Sequence, residues 1–129
     1  MEVFSIDNLT YHYPNRETPA LSSLSLKILE GEFIVVAGAS GSGKSTLARV
    51  VTRLVPEFYG GIIEGEVDGI RDIGMVFQDP EKQLVMETVE REVAFPLENR
   101  GLERNTMRKQ VLEVLTLLGI WHLKDKKTY

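Results

Sequence analysis

Residues Gly38-Ala39-Ser40-Gly41-Ser42-Gly43-Lys44-Ser45 satisfy G-x-x-x-x-G-K-[ST], and they lie between a continuous apolar run and an amphipathic repeat. No other feature constrains the chain as strongly. Phosphate oxygens must approach several backbone N–H groups closely, and bulky side chains or ordinary φ/ψ angles would block that approach. The glycines remove both obstacles. The positive end of the following helix faces the anion, Lys44 adds a mobile charge for β and γ phosphates, and Ser45 offers a hydroxyl to Mg²⁺. A Gly/Ser connector that merely happens to contain Lys would need neither flank. The loop alone selects no base, but the guanine-reading patterns D-x-x-G and [NT]-K-x-D do not occur in the chain.

The flanks predict a strand, a glycine loop and a helix in that order. The run Phe33-Ile34-Val35-Val36-Ala37 is apolar without alternation, the pattern of a central strand covered on both faces. Leu47, Val50, Val51, Leu54 and Val55 then repeat at helical spacing as far as Pro56, so residues 38–55 read as P-loop and helix. Upstream, Phe4 and Ile6, then Leu24, Leu26 and Ile28, alternate with polar residues as in two antiparallel strands wet on one face. Tyr13-Pro14-Asn15 and Thr18-Pro19 place an exposed loop between them. Downstream, Gly60, Gly61, Gly65 and Gly69 punctuate a hairpin-like stretch, with Gly60-Gly61 a turn. Residues 73–77 read as another buried strand, ended by Gln78-Asp79-Pro80.

From Asp79 to Glu98 six acids face two bases, which predicts an exposed acidic segment with Thr88 capping a short helix that reaches Phe95-Pro96. Met107, Val111, Val114, Leu115 and Leu118 line one face of a last helix, capped by Gly119, within a helical segment over 87–119. The chain then stops at Lys126-Lys127-Thr128-Tyr129 without a closing strand, so the expectation is one truncated α/β domain over residues 1–129.

Composition narrows the partners. A formal charge of -4 provides no broad positive field for nucleic acid, and the absence of cysteine removes disulfides, thiolate metal sites and thiol nucleophiles. The N-terminus lacks the basic and apolar blocks of a secretory signal, and no apolar run approaches the ~20 residues of a membrane-spanning helix. A cytoplasmic protein that meets a membrane only through a partner is the expectation.

Tyr13 before Pro14, the loop over residues 38–46 and Gln78 in Val76-Phe77-Gln78-Asp79-Pro80 together resemble the ATP-binding subunits of ABC transporters. Gln78-Asp79-Pro80-Glu81-Lys82-Gln83-Leu84, followed by Thr88-Val89-Glu90 and Val93-Ala94-Phe95, is most similar to the ATPases of energy-coupling-factor importers, which take up vitamins or cobalt and nickel ions. The resemblance implies an α/β P-loop NTPase core with an N-terminal antiparallel β-subdomain. It implies that 1–37 forms the β-rich subdomain and central strand, and 71–80 a strand and the Q-loop.

Carried over by position, the resemblance implies that Tyr13 stacks on adenine and assigns the following roles. Gly38, Ala39, Ser40, Gly41, Ser42, Gly43, Lys44, Ser45 and Thr46 hold the phosphates. Ser45 and Gln78 attend Mg²⁺, and Lys44 and Gln78 are the catalytic candidates. The cofactors implied are ATP and Mg²⁺. The partners implied are a transmembrane transporter subunit and a second ATPase domain, with the chain peripheral at the inner face of the cell membrane. Tyr13 as a surface aromatic packing its loop, and Gln78 as a polar strand terminus, stay open beside these roles. Thr46 serves equally as a packing residue and as a donor to the α-phosphate.

The family's L-S-G-G-Q signature, Walker B run, following glutamate and switch histidine are not among these residues, and residues 66–75 form a shorter stretch than the family has there. His12 and His122 match no family position. ATP binding without efficient hydrolysis by the 129 residues alone is the expectation. A stand-alone nucleotide-binding or regulatory module is the alternative. A small-molecule kinase would rest on Arg100, Arg104 and Arg108, whose spacing fits a solvated helix face better.

Overall fold

Alternating apolar residues at the N-terminus become strand β1 (Glu2–His12) in the computed structural model, which describes all residues 1–129. β1 is the middle of a three-stranded antiparallel sheet, between β2 (Leu21–Leu29) and β3 (Ile62–Gly69). The alternation changes phase part-way along. Phe4 and Ile6 are buried at even positions, Leu9 and Tyr11 at odd ones, and the register shifts between Ile6 and Leu9 against β2. Asn8 sits at the irregularity with φ 47, and its N–H donates to Ser25 Oγ at 2.9 Å. The extra residue lets both apolar pairs face one core, as a β-bulge does.

β3 corrects the hairpin expected over residues 60–69. The stretch is one strand, paired with the other edge of β1 through Ile6↔Val67 and Tyr11↔Ile63. Gly65 lies across from the bulge, and a Cβ there would stand 2.5 Å from the Asn8 carbonyl oxygen. Its φ of +91 closes the position to other residues twice over.

Helix α1 (Lys44–Val51) lays Thr46 and Val50 into this core, with Leu47 and Val51 packed beside them. The helix expected to reach Val55 ends at Val51. Arg53 takes a left-handed φ of 61, and Val55, just before Pro56, is extended at φ -113 and ψ 136 inside the short turn α2 (Leu54–Glu57). The left-handed Arg53 follows the end of α1, and Pro56 then keeps Val55 extended, because proline disfavours helical backbone in the residue before it, while Val55 stays 1% exposed. The apolar repeat therefore marked burial correctly and helical continuity incorrectly.

Two further expectations are overturned. Residues 33–37 form no strand, and Phe33 is 91% and Val35 77% exposed. Residues 73–77 form none either, although Ile73 packs on the core of the sheet and Val76 is exposed. A run apolar on both sides becomes a buried strand only with paired neighbours and cover on both faces. The three strands here pair solely with one another.

The chain divides into two compact units, Met1–Met75 and Val76–Tyr129. The second is helical. Helix α3 (Val89–Asn99) starts after Thr88, whose side chain makes no capping bond, and it runs through Pro96 rather than stopping there. The Arg100 N–H still reaches the Pro96 carbonyl at 3.3 Å. Glu92 turns back to accept from the N–H groups of Val85 at 2.9 Å and Met86 at 2.6 Å, and Thr88 bridges to Lys127. Helix α4 (Arg104–Leu117) buries Val111 and Leu115, but Val114 and Leu118, expected on the same face, are 41% and 63% exposed. Gly119 follows α4 with φ 70, as expected of a C-terminal cap. No helix is long and apolar enough to cross a membrane.

Glu103 caps α4 by accepting from the Thr106 N–H at 3.2 Å. Backbone donors at Asn105 and Thr106 hold its carboxyl below the usual carboxylate range. Its support of the helix is thus complete above the ordinary carboxylate pKa and is lost as pH falls through the depressed one. The Thr106 amide shift, followed by NMR, should titrate below that ordinary range and stop doing so in Glu103→Gln. Gly65→Ala should destabilise the first unit by about 1–3 kcal/mol in denaturant unfolding, because it adds a clash to a left-handed backbone.

Candidate phosphate-binding site

The glycine loop passes from the unpaired run into α1 within the first unit. Ser42 N–H donates to the Ala39 carbonyl at 3.2 Å, closing a turn around Gly41, whose φ is 79. Gly43 then occupies the N-cap of α1 in the left-handed region at φ 97. A Cβ on Gly43 would lie 2.7 Å from the Ala20 carbonyl oxygen and 3.0 Å from Leu21 Cδ2, so the loop is pressed against the start of β2. The first helical bond runs from Leu47 N–H to the Gly43 carbonyl at 2.8 Å. The amides of Lys44, Ser45 and Thr46 thus precede the helical ladder, at the end where the helix dipole is positive.

Lys44 lies across the same loop. Its Nζ donates to the carbonyls of Gly38 at 2.8 Å and Ala39 at 2.7 Å, and to Ser42 Oγ at 3.3 Å. Ser45 is exposed at the mouth, and Thr46 is 7% exposed beneath it. The donor set fits a magnesium-bound phosphate chain: a backbone bare of Cβ at its two tightest turns, helix amides before the ladder, one lysine and one exposed hydroxyl.

Tyr13 reaches this site from the end of β1. Its hydroxyl is 3.1 Å from Thr46 Oγ1 and accepts from Arg49 Nη1 at 2.7 Å. Its ring meets Tyr11 edge-on at 4.9 Å between centroids, and the Arg49 guanidinium sits over the Tyr59 ring at 4.6 Å. Tyr11 in turn donates to the Gly60 carbonyl at 2.7 Å. The bond to Tyr13 raises the Arg49 pKa further above its ordinary value, against the cost of burial. Burial pushes the Tyr11 hydroxyl up, helped by Tyr13 and opposed by Arg49.

The structure thus gathers Tyr13 and residues 38–46 at one end of α1. Gln78 belongs to the second unit, where it is exposed and lines an open recess of ≈ 400 Å³ with Phe77, Asp79, Lys82 and Gln83. Arg49 was not legible as part of the site. Its signal was faint: a cation three residues after Thr46, and so on the same side of the helix.

Compared with known proteins, residues 21–129 match the ABC transporter family. The chain belongs to that family. It is 41% identical over 133 residues to an ABC transporter ATP-binding protein of Methanosarcina acetivorans, covering 93% of this chain and 22% of that one. It is 39% identical over 126 residues to the energy-coupling factor transporter ATP-binding protein EcfA1 of Levilactobacillus brevis, covering 92% and 45%. Among solved structures, cbiO1 from Clostridium perfringens, part of the ABC transporter complex cbiONQ, superposes with a TM-score of 0.79 at 30% identity. That match covers 98% of this chain and 54% of cbiO1. The chain therefore spans between about a quarter and about half the length of these relatives. Its fold is that of the N-terminal part of an ABC-type ATPase, an antiparallel β-subdomain joined to P-loop and helix, and it is a homologue of the energy-coupling-factor ATPases.

Within this ABC-type site, Gly43→Ala should force the loop off β2. It should lower the stability of the first unit by about 1–3 kcal/mol, measured by denaturant unfolding.

Proposed function

We propose that the chain is the nucleotide-binding part of an ABC-type ATPase that couples ATP binding and hydrolysis to import of a small solute, a vitamin or a metal ion. The observation that carries this reading is the loop itself. Gly43 turns left-handed against β2 at the N-cap of α1, Lys44 lies back across the loop, and Thr46 in the same first turn meets the Tyr13 hydroxyl. Bound MgATP supplies the phosphoryl group and the metal charge. The chain's own residues bind and orient it: loop amides and Lys44 take the phosphates, Ser45 offers its hydroxyl to the metal, Thr46 donates nearer the ribose, and Tyr13 offers its ring to adenine. Gln78, from the second unit, is the residue proposed to sense metal and attacking water and to report on them.

The solute class rests on the resemblance of residues 78–95 to energy-coupling-factor importers, and likeness to EcfA1 and cbiO1 supports that kind of transporter. The same likeness supports a transmembrane subunit and a second ATPase domain as partners, with the chain at the inner face of the membrane. In this reading the P-loop of the 129 residues is one side of a site that a second ATPase domain completes. By themselves they bind nucleotide and do not hydrolyse it efficiently.

Thermal unfolding with excess MgATP tests this. Ligand at a hundred times its dissociation constant adds about 2.7 kcal/mol to a two-state fold, so the midpoint should rise clearly. MgGTP should raise it less and Lys44→Ala should remove the shift. Sustained MgATP turnover by the 129 residues, abolished in Lys44→Ala, would overturn the binding-only part of the proposal. A midpoint indifferent to MgATP would overturn the site.

A further inference from the structure

The contacts around Tyr13 do more than hold a ring in place. We infer that Arg49, Tyr13 and Thr46 form a charge-polarised hydroxyl relay that serves the phosphates of the bound nucleotide, with Tyr13 acting through its oxygen as well as its ring. This rests on the nucleotide site proposed above.

Direction follows from donor chemistry. A guanidinium only donates, so the 2.7 Å contact between Arg49 Nη1 and Tyr13 places an arginine proton on the phenol oxygen. An oxygen loaded by a cation is a poorer acceptor and its own proton a stronger donor, which directs that proton to Thr46 Oγ1 at 3.1 Å. Thr46 then has its own hydroxyl proton to give, in the first turn of α1 beneath the loop. Each link leans the same way, away from Arg49 and toward the anion.

The surroundings of Arg49 agree. Its guanidinium lies against three tyrosines, Tyr13 by hydrogen bond, Tyr59 by its ring and Tyr11 nearby, and against no carboxylate. Its Nε is buried without a partner. A half-buried cation among neutral groups keeps its charge available to an anion, whereas a tether between helix and sheet would gain more from an acid that neutralised it. Thr46 links the two ends, since the same hydroxyl that takes the Tyr13 proton sits two residues from Lys44.

Inorganic tripolyphosphate with Mg²⁺ separates this role from base stacking, because it carries no base. Calorimetric titration of the full chain should give binding that Lys44→Ala removes. Tyr13→Phe keeps the ring and loses only the oxygen, and it should weaken tripolyphosphate about tenfold, the worth of one charge-assisted hydrogen bond. Thr46→Val, of the same shape, should do likewise, and Thr46→Ser should recover the affinity. The double variant Tyr13→Phe with Thr46→Val should be no weaker than either single one, since both break one chain. Arg49→Met should match them, and unfolding scans without ligand report whether it folds.

Tripolyphosphate binding that is lost in Lys44→Ala but unchanged in Tyr13→Phe would overturn the relay and leave the phosphate site standing. Additive losses in the double variant would overturn it as well. A wild-type chain that binds neither tripolyphosphate nor MgATP would sink the nucleotide reading and the relay with it.

Discussion

Strand β1 is hydrogen-bonded on both sides, and the first unit has no other element with that property. β2 and β3 meet only through it. Its inward side chains Phe4, Ile6, Leu9 and Tyr11 are all at most 2% exposed, and each such burial is worth about 1.5–3 kcal/mol. The bulge at Asn8 keeps all four on one side, Gly65 makes room for the bulge, and the strand leaves the sheet aimed at α1. A slip of one residue along β1 would turn the core residues outward and carry Tyr13 away from Thr46.

The site was more legible than the fold, and the reason is range. A glycine loop before a helix is dictated by neighbours in sequence: Gly43 caps α1 in a left-handed conformation that glycine adopts freely, and Lys44 and Ser45 follow at once. Strand pairing depends on residues far away. Nothing in residues 33–37 or 73–77 says which strands lie beside them, so their apolar character pointed to burial that the observed pairing does not provide. Between these cases stand Pro56, which holds Val55 extended after α1 has already ended at Val51, and Pro96, which α3 absorbs. The same residue type bars helical backbone at one place and not at the other, because proline's missing N–H and ring act on particular neighbours. The phase change in β1 was invisible for a similar reason, since a bulge is a property of two strands and not of one.

Arg49 shows the complementary case. Its place on a helix was readable, but its partners Tyr13 and Tyr59 come from 36 residues upstream and ten downstream, brought together only by packing. The loop meanwhile satisfies its own lysine. With Nζ on three oxygens of the loop, Lys44 ties the backbone of residues 38–42 into a closed curve.

The unpaired run over residues 33–37 leads to a different kind of consequence. Phe33, Val35 and Val36 face solvent along a backbone that enters no ladder, without proline or charge to blunt it. An extended apolar backbone with its ladder positions open is one to which a further strand can add, so what these residues pack against is decided by the strand that pairs with them and not by their own sequence.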